Sequence, residues 1–173
     1  INNNFAYYTG GGLAVYYISG SLDIRDSEIS GNLAGYDGGG LYIGESGGPI
    51  TVERTRITNN TAYDDGGGVF MYWLGHETTF YKCTISGNTA YDGGGVFLYD
   101  TDSTIEKKFV GYGYADQSLL IQNCTISGNR ADNYGGGVFL YSPDALVKIE
   151  NTTISGNTAD YDAALSLYGG YAE

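Results

Sequence analysis

The sequence predicts an all-β chain that winds into a right-handed parallel β-helix, with each turn of the chain forming one coil. Three observations support this fold: a repeat of 28 residues, alternating aliphatic residues within each repeat, and turns rich in Gly, Asn and Asp between the alternating segments. Units of such a solenoid contact only their neighbours. We therefore treat residues 1–173 as a single domain of about six coils.

The repeat is anchored on an asparagine that closes a Thr-Ile-Ser-Gly-Asn-like pentapeptide. This asparagine recurs at intervals of 28 residues, with one interval of 41, at Asn4, Asn32, Asn60, Asn88, Asn129 and Asn157. An amide side chain carries two donor hydrogens and an acceptor, so stacked asparagines pass hydrogen bonds from coil to coil. The spacing predicts an asparagine ladder along the rod.

Each repeat contains three short segments of period two, which predict three strands per coil and no helix. In the second repeat they are represented by Leu41/Ile43 after a triple glycine, by Ile50/Val52, and by Ile57 before the anchoring asparagine. The run from Ile121 to Asn129 also fits the leucine-rich-repeat template. That fold needs a helix or similar segment on the return half, where three glycines disfavour a helix.

Composition limits the classes of partner. Twenty acidic residues against eight basic ones give a net charge of −12, which argues against a nucleic-acid partner. No apolar run approaches the length needed to cross a bilayer, so we predict no membrane span. The chain starts at Ile1 rather than Met, as expected of a processed protein or an excised fragment.

An acidic column accompanies the turn between the asparagine and the glycines. Its members are Asp37, Asp64, Asp65, Asp92, Asp132, Asp160 and Asp162. Stacked carboxylates repel one another, and Ca²⁺, which prefers oxygen ligands, would relieve the repulsion. We expect either a calcium site or a solvated acidic edge, and no cofactor is required in the second case.

Two further patterns concern covalent modification. Cys83 and Cys124 occupy the same inward position of adjacent coils, which predicts a disulfide, with two buried free thiols as the alternative. Glycosylation sequons begin at Asn59, Asn123 and Asn151.

Aromatic residues alternate with the aliphatic ones after the glycines and predict an outward contact surface. They form two columns, Tyr42, Phe70, Phe97 and Phe139, and Tyr72, Tyr99, Tyr141 and Tyr168. Contiguous exposed aromatic residues mark interfaces, and tyrosine suits glycan stacking or lateral packing. The alternative is a β-favouring residue on an exposed pleat. Thirteen extra residues within 100–118 form an insertion that we expect either to cover this surface or to bind a partner.

The repeats resemble those of chlamydial polymorphic outer membrane proteins, which pair a Gly-Gly-Ala-aliphatic motif with a Phe-x-x-Asn motif. The counterparts here are Gly-Gly-Gly-Val at 93–96 and 135–138, and Ile-Ser-Gly-Asn at 85–88 and 126–129. Ile replaces Phe and a third Gly replaces Ala. The resemblance implies an exported adhesive or structural protein at the cell surface.

We expect Ile1, Leu165 and Leu167 to lie on uncapped end coils, whose edges invite pairing with another chain. A head-to-tail interface that does not close generates a filament. The sequence therefore favours an extracellular structural subunit that polymerises with itself. The alternatives are an adhesin segment that binds glycan and a polysaccharide lyase or hydrolase. We predict no enzymatic activity, because no arginine accompanies a pair of strand-borne aspartates and His76 is the single histidine.

Overall fold

The computed structural model describes residues 1–99, 118–141 and 146–169 of the chain. Its 21 strands form four parallel sheets that run along the rod. Sheet 1 contains β1 (Phe5–Ala6), β5 (Leu33–Ala34), β9 (Thr61–Ala62), β13 (Thr89–Ala90) and β17 (Arg130–Ala131). Sheet 2 contains β2 (Leu13–Tyr16), β6 (Leu41–Ser46), β10 (Val69–Leu74), β14 (Val96–Tyr99), β18 (Val138–Tyr141) and β21 (Leu165–Tyr168).

The other two sheets complete each coil. Sheet 3 contains β3 (Leu22–Arg25), β7 (Ile50–Glu53), β11 (Thr78–Tyr81), β15 (Ser118–Gln122) and β19 (Leu146–Glu150). Sheet 4 contains β4 (Glu28–Ser30), β8 (Arg56–Thr58), β12 (Thr84–Ser86), β16 (Thr125–Ser127) and β20 (Thr153–Ser155). The predicted insertion, apart from Ser118, lies outside the described residues.

Equivalent residues of successive coils pair directly, as Val69 does with Val96 and Tyr72 with Tyr99. The result is a right-handed parallel β-solenoid of about five turns, and the described residues contain no helix. This confirms the predicted fold class. The number of strands per coil was underestimated, because a fourth strand of two residues, in sheet 1, follows five of the six anchoring asparagines. Two residues are too short a segment to show alternation.

The coils turn at corners where one residue adopts the left-handed conformation. At the corner before sheet 2 this residue is the first of the three glycines, as at Gly93 with φ 61°. Asp162 takes the same place in the last coil with φ 52°, since short polar side chains tolerate this region. The corner between sheets 3 and 4 uses non-glycine residues such as Lys82 and Asn123.

The core lies between the sheets and is built from aliphatic residues stacked on like residues. Leu41, Val69 and Val96 form one wholly buried column, and Ile57, Ile85 and Ile126 form another. Phe80 fills the space inside sheet 3. Because each inward position repeats in every coil, the core is continuous along the rod.

The asparagine ladder is present and its central members are fully hydrogen bonded. The backbone N–H and Nδ2 of Asn60 both donate to Oδ1 of Asn88, at 2.9 and 3.1 Å. Nδ2 of Asn88 donates in turn to Oδ1 of Asn129 at 2.9 Å and to the carbonyl oxygen of Ile57 at 3.0 Å. Asn60, Asn88 and Asn129 are completely buried, so the ladder replaces the water that these backbone groups would otherwise need.

The structure corrects the predicted disulfide, because Cys83 and Cys124 are buried free thiols. Sγ of Cys124 accepts a hydrogen bond from the backbone N–H of Cys83 at 3.3 Å, and Sγ of Cys83 donates to the carbonyl oxygen of Val52 at 3.3 Å. One coil further on, Oγ1 of Thr152 accepts from the N–H of Cys124 at 3.2 Å. Both sulfurs therefore replace a threonine hydroxyl in a column that satisfies backbone groups.

Candidate functional site

The first aromatic column, from Tyr42 to Phe139, faces outward from sheet 2 but is not exposed as predicted. The exposed fractions of Phe70, Phe97 and Phe139 are 6%, 2% and 3%. At Phe97 the rings of Phe70 and Phe139, with centroids 5.3 and 4.9 Å away, cover the side chain together with two further neighbours. The corner backbone lies so close that a Cβ on Gly93 would stand 2.6 Å from Cβ of Phe97, and the ring of Tyr99 lies on the other side, with centroids 6.5 Å apart. The column is a second, smaller hydrophobic core outside the sheet.

The second aromatic column stands beside the first and consists of stacked tyrosines. Ring centroids are 5.6 Å apart for Tyr72 and Tyr99, 5.1 Å for Tyr99 and Tyr141, and 5.1 Å for Tyr141 and Tyr168. The rings cover one another's faces because the residues are in register. The column is half-buried up to Tyr141, and Tyr168 is exposed at its end.

A short acidic column lies on the other side of the buried aromatic residues. Asp37, Asp65 and Asp92 each directly precede a triple glycine and are half-buried. Oδ1 of Asp37 accepts a hydrogen bond from the backbone N–H of Asp65 at 3.3 Å, and Oδ1 of Asp92 accepts one from the N–H of Tyr134 at 2.7 Å. Tyr134 thus takes the place of the aspartate in the next coil.

The acidic column contains carboxyl groups with raised pKa values. Burial raises the pKa of Asp37 to about 6. Burial, together with the carboxylates of Asp64, Asp37 and Asp92, raises the pKa of Asp65 to about 8. Burial also raises the pKa of Asp92. At neutral pH the side chain of Asp65 is therefore mostly protonated and provides a hydroxyl donor as well as an acceptor.

The two polar columns form the sides of a groove whose floor is the buried aromatic column. One cavity of about 440 Å³ is lined by Asp65, Asp92, Phe97, Tyr99, Tyr134, Phe139, Tyr141 and Tyr168. A second of about 260 Å³ is lined by Asp37, Tyr42, Asp64, Asp65, Phe70, Tyr72 and Tyr99. Asp65 and Tyr99 line both cavities, so the two adjoin along the rod.

The charged side chains that line the groove are aspartates on one side, and the other side is formed by the uncharged tyrosine column. Among the described residues, none that lines the groove is a lysine or an arginine. Basic residues of the described segments lie elsewhere: Arg25 and Lys148 in sheet 3, Arg54 and Lys82 at the corner that follows it, Arg56 in sheet 4, and Arg130 in sheet 1. Arg130 pairs with Asp132 at 2.6 Å, which leaves that aspartate outside the groove's acidic column.

The seven aspartates predicted as one column do not come together. Asp37, Asp65 and Asp92 stack, whereas Asp132, Asp160 and Asp162 are exposed in later coils. Across the described residues, no three or more His, Cys, Asp or Glu side chains are grouped so that they could hold a metal ion. The physical reason is that Tyr134 and Tyr161 occupy the stacked position in the last two coils. Calcium binding stays a prediction.

The sequon asparagines lie at exposed corners. Asn59, Asn123 and Asn151 have φ values of 55°, 55° and 48° and are open to solvent. Asn123 and Asn151 occupy equivalent positions of successive coils. The backbone N–H of Asn123 donates to the carbonyl oxygen of Glu150, the residue before Asn151, at 3.0 Å. Their glycosylation stays a prediction.

Comparison with protein families gives one match, to the family described as right-handed beta helix region, over residues 1–172. The chain belongs to this family. No curated protein matches the chain, and no solved structure does. As a member of the right-handed beta helix family, the chain shares its architecture with surface proteins and with enzymes. The described segments hold no helix that is long and apolar enough to cross a membrane.

Proposed function

We propose that the chain is a carbohydrate-binding segment of a cell-surface protein, and that its groove on sheet 2 holds the glycan along the rod. The observation that carries the proposal is the pair of adjoining cavities with an apolar floor and hydrogen-bonding groups on both sides. Binding sites for small ligands combine apolar lining with a few placed polar groups in this way. The resemblance of the repeats to chlamydial surface proteins supports an extracellular location.

The charge of the groove selects the class of glycan. Of the residues that the structure describes, four with carboxyl groups line the two cavities, Asp37, Asp64, Asp65 and Asp92, and none with a basic side chain does. A polymer of uronic acids would bring its carboxylates against them without a counter-ion from the protein. Neutral and amine-bearing sugars face no such repulsion, so we expect the groove to bind glucosamine-type oligosaccharides.

Isothermal titration with three oligosaccharides tests this function: N-acetylglucosamine oligomers, glucosamine oligomers and oligogalacturonate, all at low salt. The first two are expected to bind and the third is not. Tyr99→Ala should weaken binding at least tenfold, because Tyr99 lines both cavities. Tyr63→Ala is the matched control, since Tyr63 is exposed and lies outside the groove. Equal effects of the two variants, or binding of oligogalacturonate alone, would refute the proposal.

Self-association end to end is the second candidate, and the ladder supports it. Oδ1 of Asn4 accepts no hydrogen bond from the described residues, although Asn4 donates twice to Asn32. At the other end, the amide of Asn157 donates to the carbonyl oxygen of Ile126. A further coil at either end, from the same polypeptide or from another copy, would continue the ladder in register.

The exposed end residues provide the test of self-association. Ile1, Leu165 and Leu167 have exposed fractions of 54%, 46% and 62%. If copies stack, electron microscopy should show filaments with an axial repeat of roughly 25 to 29 Å, from five to six coils about 4.8 Å apart. Leu167→Lys should leave monomers, because it places a charge in the apolar contact. Filaments of unchanged length in that variant would exclude end-to-end stacking.

The same oligosaccharides can also be used to test the prediction that the chain is not an enzyme. Asp65 and Asp92 are neighbours at the groove, and hydrolysis of glycosides uses two carboxyl groups, one of them protonated. Release of reducing ends from the titrated oligosaccharides would overturn the prediction. A product that disappears in Asp65→Asn would place the activity in this groove.

A further inference from the structure

The phenol side chains of the stacked tyrosine column can undergo a reaction that ligand binding does not involve. Tyr99 and Tyr141 face each other with ring centroids 5.1 Å apart and an angle of 7° between the ring planes. Tyr141 and Tyr168 repeat this arrangement at 5.1 Å and 18°. Their backbones are hydrogen bonded in parallel register, so the phenol hydroxyl groups point the same way from adjacent coils.

We propose that this column is a site of oxidative tyrosine cross-linking, in which a peroxidase and hydrogen peroxide couple Tyr141 to Tyr99 or to Tyr168. Each phenol loses one electron and one proton to give a tyrosyl radical. Two radicals then join through the ring carbons next to their hydroxyl groups. The hydrogens on those two carbons then move to the phenol oxygens, which restores both aromatic rings. Overall, one C–C bond forms, two C–H bonds break, and one H₂O₂ is reduced to two H₂O.

The geometry favours coupling within one chain. The rings stand on paired residues of adjacent strands, which lie about 4.8 Å apart. Rotations about the Cα–Cβ and Cβ–Cγ bonds tilt two ring edges towards each other while the backbones stay paired. Two radicals held at this distance react at a high effective concentration, as other tethered reactants do.

The position of the column also gives an oxidant access to it. Tyr168 is 59% exposed, and Tyr99 and Tyr141 are half-buried at the side of the groove. The neighbouring Phe97 and Phe139 have no phenol and are buried, so they offer no competing site. Tyr134 and Tyr161 form a separate stacked pair, with centroids 5.0 Å apart, which is a second place for the same reaction.

Coupling would join neighbouring coils by a covalent bond, which acts on the unfolded chain as other cross-links do. The bond between Tyr99 and Tyr141 would enclose the insertion. A protein at a cell surface, as proposed above, would become harder to unfold where peroxide is released. The cross-linking itself does not depend on the proposed glycan binding.

Treatment of the full chain with a haem peroxidase and hydrogen peroxide tests the inference. Trypsin separates Tyr99 from Tyr141, because Lys107, Lys108 and Arg130 lie between them. Mass spectrometry should then find linked peptides two hydrogens lighter than their sum, with Tyr99 or Tyr168 joined to Tyr141. The yield per chain should not change on tenfold dilution, since the reaction is intramolecular.

Two variants distinguish the column from exposed tyrosines in general. Tyr141→Phe keeps the ring and should lower the yield of peptides that join residue 141 to Tyr99 at least tenfold, whereas any link between Tyr99 and Tyr72, whose ring centroids are 5.6 Å apart, should remain. Tyr63→Phe should leave that yield within twofold, because Tyr63 is 68% exposed and lies outside the column. Cross-links only between chains, or a yield that Tyr63→Phe lowers as much as Tyr141→Phe, would overturn the inference. Circular dichroism of both variants verifies that they are folded.

Discussion

Removing one central member of the asparagine ladder should destabilise the whole rod. In Asn88→Ala, two buried donors of Asn60 lose their acceptor, namely its backbone N–H and its Nδ2 group, which donate to Asn88 at 2.9 and 3.1 Å. The carbonyl oxygen of Ile57 and Oδ1 of Asn129 each lose one donor as well. Water cannot replace these partners without opening the coil, because Asn60, Asn88 and Asn129 are completely buried.

The magnitude follows from the two orphaned donors. A buried polar group left without its partner costs about 1–3 kcal/mol, so the free energy of unfolding should fall by about 2–6 kcal/mol. That is a large part of the 5–15 kcal/mol typical of whole domains. The loss should be felt along the rod, because each coil is stabilised by its neighbours.

Asn4→Ala is the matched control. Asn4 is exposed, its Oδ1 accepts nothing from the described residues, and Asn32 keeps the hydrogen bond from the backbone N–H of residue 4. We expect a loss below about 1 kcal/mol. Urea unfolding followed by far-UV circular dichroism measures both variants. The reasoning fails if Asn88→Ala lies within about 1 kcal/mol of the parent chain or costs no more than Asn4→Ala.

Three further predictions concern other parts of the rod. Gly94→Ala should destabilise the chain by more than about 3 kcal/mol, because the new Cβ would lie 2.3 Å from the carbonyl oxygen of Arg130. Gly20→Ala is the control, because a Cβ at Gly20 would have no neighbouring atom within 4 Å. Thermal unfolding of the two variants measures the difference. Thr78→Val should raise the free energy of unfolding, measured by urea titration, by about 1 kcal/mol, because the buried Oγ1 of Thr78 has no hydrogen-bond partner in the described part of the chain. The raised pKa of Asp65 means that the folded chain binds this proton more tightly than the unfolded chain does. The proton's contribution to the free energy of unfolding is therefore complete below about pH 4 and is lost as the pH rises to about 8. In urea titrations at several pH values, Asp65→Asn should make the free energy of unfolding depend less on pH over this range.

The fold could be predicted because the signals that specify it are local and repeated. Each coil carries its own aliphatic alternation and its own ladder asparagine, and five of the six coils have a glycine at the corner before sheet 2, so the repeated pattern outweighs the one exception. The ladder positions are an example, since Asn60, Asn88 and Asn129 stack as the spacing indicates. The two-residue strands of sheet 1 were not predicted, because two residues carry no period.

The groove could not be predicted, because it depends on distances across a corner. An outward position on a strand indicates exposure, yet Phe97 is buried by the corner backbone at Gly93 and by the aromatic rings around it, in its own column and at Tyr99. The sequence also contains Asp64 next to Asp65, and only the structure shows that Asp65 is the stacked one, paired with Asp92. The triple glycine begins six residues after Asn60 but five residues after Asn88, so alignment on the asparagines shifts this column.

The stacking of equivalent residues also explains why the pKa of Asp65, at about 8, lies above that of Asp37, at about 6. Two unit charges about 4.8 Å apart repel by about 3.5 kcal/mol at an effective dielectric constant of 20, against about 0.9 kcal/mol in water. Asp65 has a carboxylate in the coil on either side, at Asp37 and Asp92, and each of these raises its pKa, as does the adjacent Asp64. A proton on the middle group removes both repulsions between coils at once, whereas a proton on Asp37 or Asp92 removes one. The groove therefore presents a neutral hydroxyl donor at Asp65 between the carboxyl groups of Asp37 and Asp92, an arrangement that suits the hydroxyl and amine groups of sugars.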